Sequence, residues 1–178
     1  MHKIYAFKRN SYVIEVTLEV RNPGAAALAT YSYFQLTHDG KGEASVNTVA
    51  ETFGAQSFIG FAVYTDEHKF EKVHPSDLDK GKAEHVKQST SGWLAFVQHY
   101  FVSAWLPPPG VPRDYVTEKR PDGSYAARAM VPVNLRPLEK AHQLGNRFGL
   151  VPLVDGSSGG SLLQRVSAVR RQIAGQDR

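Results

Sequence analysis

Apolar and polar residues alternate along Ser11–Val20. Tyr12, Ile14, Val16, Leu18 and Val20 fall on one side, and Val13, Glu15, Thr17 and Glu19 on the other. That period of two predicts a half-buried strand. Arg21–Gly24 (RNPG) carries turn chemistry. Ala27–Leu36 and Ser57–Thr65 are rich in β-branched and aromatic residues and predict two further strands, with a loop at His38–Glu43 between them. Glu71–Ser89 is charged and contains Pro75 and Gly81, so short elements with little core are expected there. Arg113–Lys119 and Arg120–Val133 predict a hairpin turning at Asp122-Gly123. Strands joined by short turns, without long helical patterns, predict a mostly β, antiparallel architecture.

The pattern changes after residue 133. Gly156–Ser161 has the composition of a flexible linker. Beyond it Leu162, Val166, Val169 and Ile173 recur at helical spacing. Ser161 is placed to cap that helix and Arg170 and Arg171 to favour its C-terminal end, predicting a helix over 161–175.

Ser91–Pro109 (SGWLAFVQHYFVSAWLPPP) is nearly continuously apolar. It is too short for a membrane helix, which needs about 20 residues, and Gln98, His99 and Ser103 interrupt it before the prolines end it. Trp93, Phe96, Val97, Tyr100, Phe101, Ala104 and Trp105 would also form a helical stripe. The residue types are β-formers, and both faces would be apolar, as in a strand buried on both sides. On that reading Gln98-His99 marks a bend or bulge in one strand.

The 178 residues suit one domain. With no cysteine, the chain has no disulfide scaffold, thiolate zinc site or cysteine nucleophile. Charges over residues 1–133 balance, so the whole net charge of +4 lies in 134–178. No stacking aromatics are interleaved with that basic tail, so it reads as a solvated helix face and no nucleic acid is expected. The apolar part of MHKIYAFKRN is too short for a signal peptide.

Candidate chemistry is sparse. Gly156-x-Ser158-x-Gly160 matches the nucleophile-elbow pattern, but no histidine follows it in the chain. Asp66, Glu67, His68, Glu71 and His74 carry metal-ligating groups, but their spacing fits no recognised site and lysines are interleaved. His99 reads as a hydrogen-bonded core or edge histidine. No phosphate loop is present. No metal, cofactor or catalytic residue is expected.

Several segments resemble, in order, the large periplasmic domain of the YidC membrane-protein insertase family. Gly92-Trp93, Gln98, Tyr100-Phe101, Ala104-Trp105 and Leu106-Pro107 resemble its signature. FKRNSYVIEVTLEVRNPG, YSYFQL, FIGFAVYTDEHKFEKVHPSDL and RPDGSYAARAMVPV resemble its neighbouring strands and turns. The resemblance covers about residues 5–133. It implies a twisted antiparallel β-sandwich of the galactose-mutarotase-like type, whole or partial, and makes 91–109 strand rather than helix. It also implies that the chain starts inside the family's domain, without the early strands or the membrane-embedded core. Residues 134–178 depart from the family pattern: Pro137 is followed by Leu138 where the family has Gly. A divergent tail is therefore expected from 134.

The implied function is non-catalytic. It would be exercised at the periplasmic face of the bacterial inner membrane, within a longer membrane protein. The implied partners are SecD and SecF of the Sec translocon and nascent membrane-protein segments. Phe58, Phe61, Tyr64, Glu67, Lys69 and Phe70 are the candidate contact residues. Gly92, Trp93, Gln98, Tyr100, Phe101, Trp105 and Pro107 are the structural signature. The rival reading is a carbohydrate-binding or mutarotase-like sandwich, which needs a histidine and a glutamate facing one cleft.

Overall fold

The structure is a computed structural model and describes residues 1–40, 58–98, 101–138 and 142–152. Eleven strands and one short helix are described: β1 (His2–Phe7), β2 (Val13–Val20), β3 (Leu28–His38), β4 (Gly60–Thr65), β5 (Lys69–Val73), α1 (Pro75–Asp79), β6 (Gln88–Ser89), β7 (Trp93–Val97), β8 (Phe101–Leu106), β9 (Arg113–Lys119), β10 (Tyr125–Leu135) and β11 (His142–Pro152). They form two antiparallel sheets. The larger has the order β1-β2-β11-β8-β7-β4-β5, the smaller β3-β10-β9-β6. The mostly β sandwich expected from the sequence is the fold observed.

The core between the sheets is made by alternate residues. Phe61, Val63, Leu94 and Phe96 of the larger sheet meet Leu36, Tyr115, Ala127 and Ala129 of the smaller. Burying each large apolar side chain contributes about 1.5–3 kcal/mol. The intervening residues of the larger sheet, Ala62, Trp93, Ala95, Val97, Val102 and Ala104, form a second buried cluster on its opposite face. Every residue of β7 is buried, which explains why its sequence shows no alternation.

The apolar stretch 91–109 is not one bent strand. It is a hairpin: β7 pairs with β8, Leu94 opposite Trp105 and Val97 opposite Val102. The Gln98 amide donates to the Phe101 carbonyl, closing the turn at 2.8 Å. Gln98 interrupts the apolar run because it stands at this reversal. The Asp122-Gly123 hairpin also forms, with the Arg120 amide donating to the Ser124 carbonyl at 2.7 Å and Gly123 at φ +83°.

Two strands lie outside the sequence expectations. β1 pairs with β2 along its whole length. β11 lies beyond the expected boundary at residue 133, yet it inserts between β2 and β8. Gly145 and Gly149 break its apolar alternation, and both stand opposite β2 residues, Thr17 and Val13. The predicted helix at 161–175 and the linker at 156–161 lie outside the described residues.

Gly92 stands where β7 approaches the end of β4. Its φ is +96°, and a Cβ there would lie 1.7 Å from the Tyr64 carbonyl oxygen. Only glycine combines that backbone conformation with that approach. Trp93 then stacks on Tyr64, with centroids 5.5 Å apart and planes 9° from parallel. Gly92→Ala is expected to destabilise the domain by more than about 4 kcal/mol, the range of severe backbone and packing lesions. Urea unfolding would check it, a shift in midpoint near zero being the contrary result.

Candidate binding cleft

Among the described residues the smaller sheet ends at β3, which lies over β8, and the strands β11, β2 and β1 of the larger sheet extend past it. The result is a cleft of about 580 Å³. Its floor contains Leu18 and Val20 of β2, Leu144 of β11 and Lys3 of β1, and its wall is β3 from Leu28 to Gln35. Lys3, Leu18 and Leu144 form one row across three strands. Lys3 carries the one charged side chain in the lining, which also includes Met1. Tyr5 and Phe7, on the same face of β1 as Lys3, are half or more exposed, as are Tyr31 and Tyr33 on β3.

Trp105 closes the inner end. It packs between Phe34 and Phe148, with centroid separations of 5.1 and 4.9 Å. Its indole N–H donates to the Gln35 carbonyl at 3.1 Å. In an antiparallel ladder a residue's N–H and C=O point to the same side. Gln35 therefore turns its backbone away from β10, and so do Tyr33 and Tyr31. The hairpin bond from the Arg120 amide to the Ser124 carbonyl sets the same phase from the other side: even-numbered residues of β10 face β9, and odd-numbered ones face β3. No strand among the described residues pairs with the outer edge of β3.

A second, polar hollow of about 790 Å³ lies at the sandwich end, lined by Asp66, Glu67, Ser89, Thr90, Asp114 and Arg113, among others. Arg113 is 2% exposed. Its guanidinium donates to the carbonyls of Thr90, Gly92, Pro107, Pro108 and Val111 at 2.6–3.4 Å. No carboxylate among the described residues pairs with it. Prolines supply carbonyls without amides, so a turn built from Pro107 to Pro109 presents more acceptors than donors. One guanidinium with five N–H groups satisfies them. The neighbouring Tyr115 hydroxyl donates to the Ser91 carbonyl at 3.2 Å, and burial pushes its pKa up to about 12.

The predicted contact residues do not form one exposed surface. Phe61 is fully buried in the inter-sheet core, so it is unavailable to a partner. Tyr64, Phe58 and Phe70 pack against the second buried cluster. Of the six, Glu67 and Lys69 are exposed, at the β4–β5 turn, where the Lys69 ammonium donates to the Asp66 carbonyl at 2.6 Å. The alternation that makes a strand credible also sends half of its residues inward. Of the signature residues, Gly92 and Trp93 make the close approach described above. Gln98 makes the turn, and Phe101 begins β8, 45% exposed. Trp105 holds the edge of β3, and the carbonyl of Pro107 accepts from Arg113. Tyr100 lies outside the described residues, as do His99 and Ser158. Sequence reasoning missed the cleft itself. Its signals were the alternation in HKIYAF, too short to stand out, and the tyrosines of β3, which read as ordinary strand formers.

Neither hollow brings a histidine and a carboxylate together among its lining residues. Among the described residues no three metal-ligating groups cluster: Glu71 accepts from the Val86 amide at 2.9 Å, and His74 packs edge-on to Phe58. His85 is buried, 2.9 Å from the Thr117 hydroxyl and 2.7 Å from the Val86 carbonyl. Burial holds its imidazole below the usual pKa. The bond to Val86 and the Glu71 charge oppose this, and the Lys87 ammonium reinforces it.

Two outcomes are expected. Arg113→Met should cost about 3 kcal/mol in urea unfolding, because several buried carbonyls lose their donors together. Arg113→Lys should not restore the loss, since an ammonium lacks the planar fork. His85 is neutral in the fold, so the unfolded chain takes up its proton first on acidification. Stability is therefore complete well above the ordinary histidine pKa of about 6.5 and declines as pH falls from there through the lower folded value. Thermal melts between pH 7.5 and 5 should show that decline, and His85→Gln should flatten it.

Comparisons with known proteins accord with this architecture. Residues 1–148 match the family described as the YidC periplasmic domain. The chain is 40% identical over 133 residues to the membrane protein insertase YidC of Nitrosomonas eutropha, covering 75% of this chain and 21% of that protein. It is 44% identical over 131 residues to that of Aromatoleum aromaticum, covering 74% and 23%. With the Janthinobacterium insertase it shares 45% over 131 residues, covering 74% and 22%. The chain thus spans between a fifth and a quarter of the length of these relatives. With its two antiparallel sheets, its Gly92-Trp93 approach and a match over most of its length, the chain belongs to the YidC periplasmic domain family.

Proposed function

We propose that this domain serves a membrane-protein insertase at the periplasmic face of the bacterial inner membrane, without catalysing a reaction. Its work is transient contact with extended, apolar segments of nascent membrane proteins. The apolar cleft beside β3 carries this reading: it offers an apolar floor to side chains, and among the described residues no strand pairs with the outer edge of β3. No helix among the described residues is long and apolar enough to cross a membrane, so membrane attachment falls to other parts of the longer protein. A second contact, with SecD or SecF, is assigned to the β4–β5 turn, where Glu67 and Lys69 project. Family membership supports this second contact, and exposure limits it to these two of the six candidate residues.

Photo-crosslinking in the full-length insertase tests both parts. A photoreactive residue at Tyr33 is expected to capture a nascent membrane-protein segment during synthesis. One at Lys69 is expected to capture SecD or SecF. Labelling by the Tyr33 probe no stronger than from exposed Asp122 would sink the cleft reading, and the same result at Lys69 would sink the Sec contact.

A further inference from the structure

We propose that residues 80–87, between α1 and β6, form a pH-sensitive strap across one side of the sandwich, held shut by neutral His85 and released when its imidazole takes a second proton. None of these residues lines the cleft, and the strap does not depend on the proposed contacts.

The strap joins the two sheets. The Val86 amide donates to the Glu71 carboxylate on β5, in the larger sheet, at 2.9 Å. The Lys87 carbonyl accepts from the Tyr115 amide on β9, in the smaller sheet, at 2.7 Å. Ala83 and Val86, with Leu78 of α1, pack against the inter-sheet core. Their cover is thin. Both are only partly buried, and Lys80, Gly81, Lys82, Glu84 and Lys87 are exposed. A segment with so few buried apolar contacts opens at lower free energy than the strands beneath it.

His85 is the one buried residue of the strap. Its Nδ1 lies 2.7 Å from the Val86 carbonyl. A carbonyl only accepts, so Nδ1 carries the ring proton. Nε2 is then a bare acceptor, and it faces two donors: the Thr117 hydroxyl of β9 at 2.9 Å and the Lys87 ammonium at 3.3 Å. The neutral ring thus ties the strap to β9. A second proton goes onto Nε2. It turns that acceptor into a donor, sets two cations face to face, and forces the Thr117 hydroxyl to reverse. The opposing charge is Glu71 on β5, whose carboxylate already accepts from the Val86 amide. Opening hydrates the imidazolium and lets Lys87 move away.

The sign of the response follows. Burial, reinforced by the Lys87 ammonium, holds the imidazole of the closed strap below the usual histidine pKa, against the Val86 bond and the Glu71 charge. Closure is therefore complete well above about 6.5. It is lost as pH falls from there through the lower closed-state value.

Loss of overall stability in acid needs only a buried histidine. The strap adds that one flank opens ahead of the rest, and amide hydrogen exchange separates the two. It would be measured by NMR on this chain and by mass spectrometry over the same segment of the full-length insertase in detergent, corrected for the pH dependence of free amides. At pH 7.5 the Val86 and Tyr115 amides are expected to exchange at least about tenfold faster than those of β4 and β7, and at pH 5 several-fold faster again. Lys87→Met, a change at an exposed side chain, should shrink that pH response. Lys87→Arg should keep it, and His85→Gln should abolish it. Nitrogen NMR of the ring should place the proton on Nδ1 at pH 7.5. Val86 and Tyr115 amides that exchange no faster than β4 and β7 overturn the strap. A pH response unmoved by His85→Gln overturns His85 as its trigger, and one unmoved by Lys87→Met overturns release by facing cations. A ring proton on Nε2 at pH 7.5 does the same. A response present in this chain and absent from the full-length insertase overturns the strap as a device of the longer protein.

Discussion

The bond from the Trp105 indole to the Gln35 carbonyl decides where the sandwich stops being closed. Trp105 belongs to the larger sheet and Gln35 to the edge strand of the smaller. On one side of that bond the two sheets share a dry core of Phe61, Leu94, Phe96 and their neighbours. On the other side, among the described residues, the larger sheet continues past β3. A tryptophan suits this boundary because its ring is apolar and its one N–H needs an acceptor. Phe34 and Phe148 hold the ring, and an unpaired strand carbonyl accepts from it. The bond ties β3 to β8 at the inner end of the cleft.

The other end of the sandwich is closed differently. Proline-rich turns leave carbonyls without matching amides, and the larger sheet brings β7 against β4 so closely that Gly92 has no space for a side chain. Arg113 gathers five of those carbonyls. The guanidinium stays charged in a buried site because carbonyl dipoles surround it. Among the described residues one end is thus polar and tied together by Arg113, and the other holds the apolar cleft.

Local patterns made much of this legible in the sequence. The alternation of Ser11–Val20 gave β2, and the Asp122-Gly123 turn gave the β9–β10 hairpin. The double burial of β7 followed from its unbroken apolar text. That same text hid the reversal after Val97, since two strands that are each apolar on both faces read as one. β1 escaped because six residues with one apolar alternation carry little signal. β11 escaped because two glycines weaken its strand propensity, and its place between β2 and β8 is a long-range fact that no local window contains. The contact residues were misjudged for a simpler reason. Aromatic side chains at 58–70 suggested a surface, but Phe61 faces the core and Tyr64 stacks on Trp93. The cleft was illegible because its lining comes from β1, β2, β3, β8, β10 and β11, which no local window brings together.

The placement of β11 also dictates an order of events during synthesis and export. β1 and β2 are the first strands of this chain to emerge, and β3 leaves directly for the other sheet. The neighbour that joins β2 to the rest of its own sheet arrives last of the described strands, with His142 opposite Val20 and Phe148 opposite Ile14. Until then, among the described strands of this sheet, β2 has β1 alone beside it, and pairings this distant in sequence form slowly. A domain whose proposed clients are unfinished chains must therefore pass through the same unfinished condition itself.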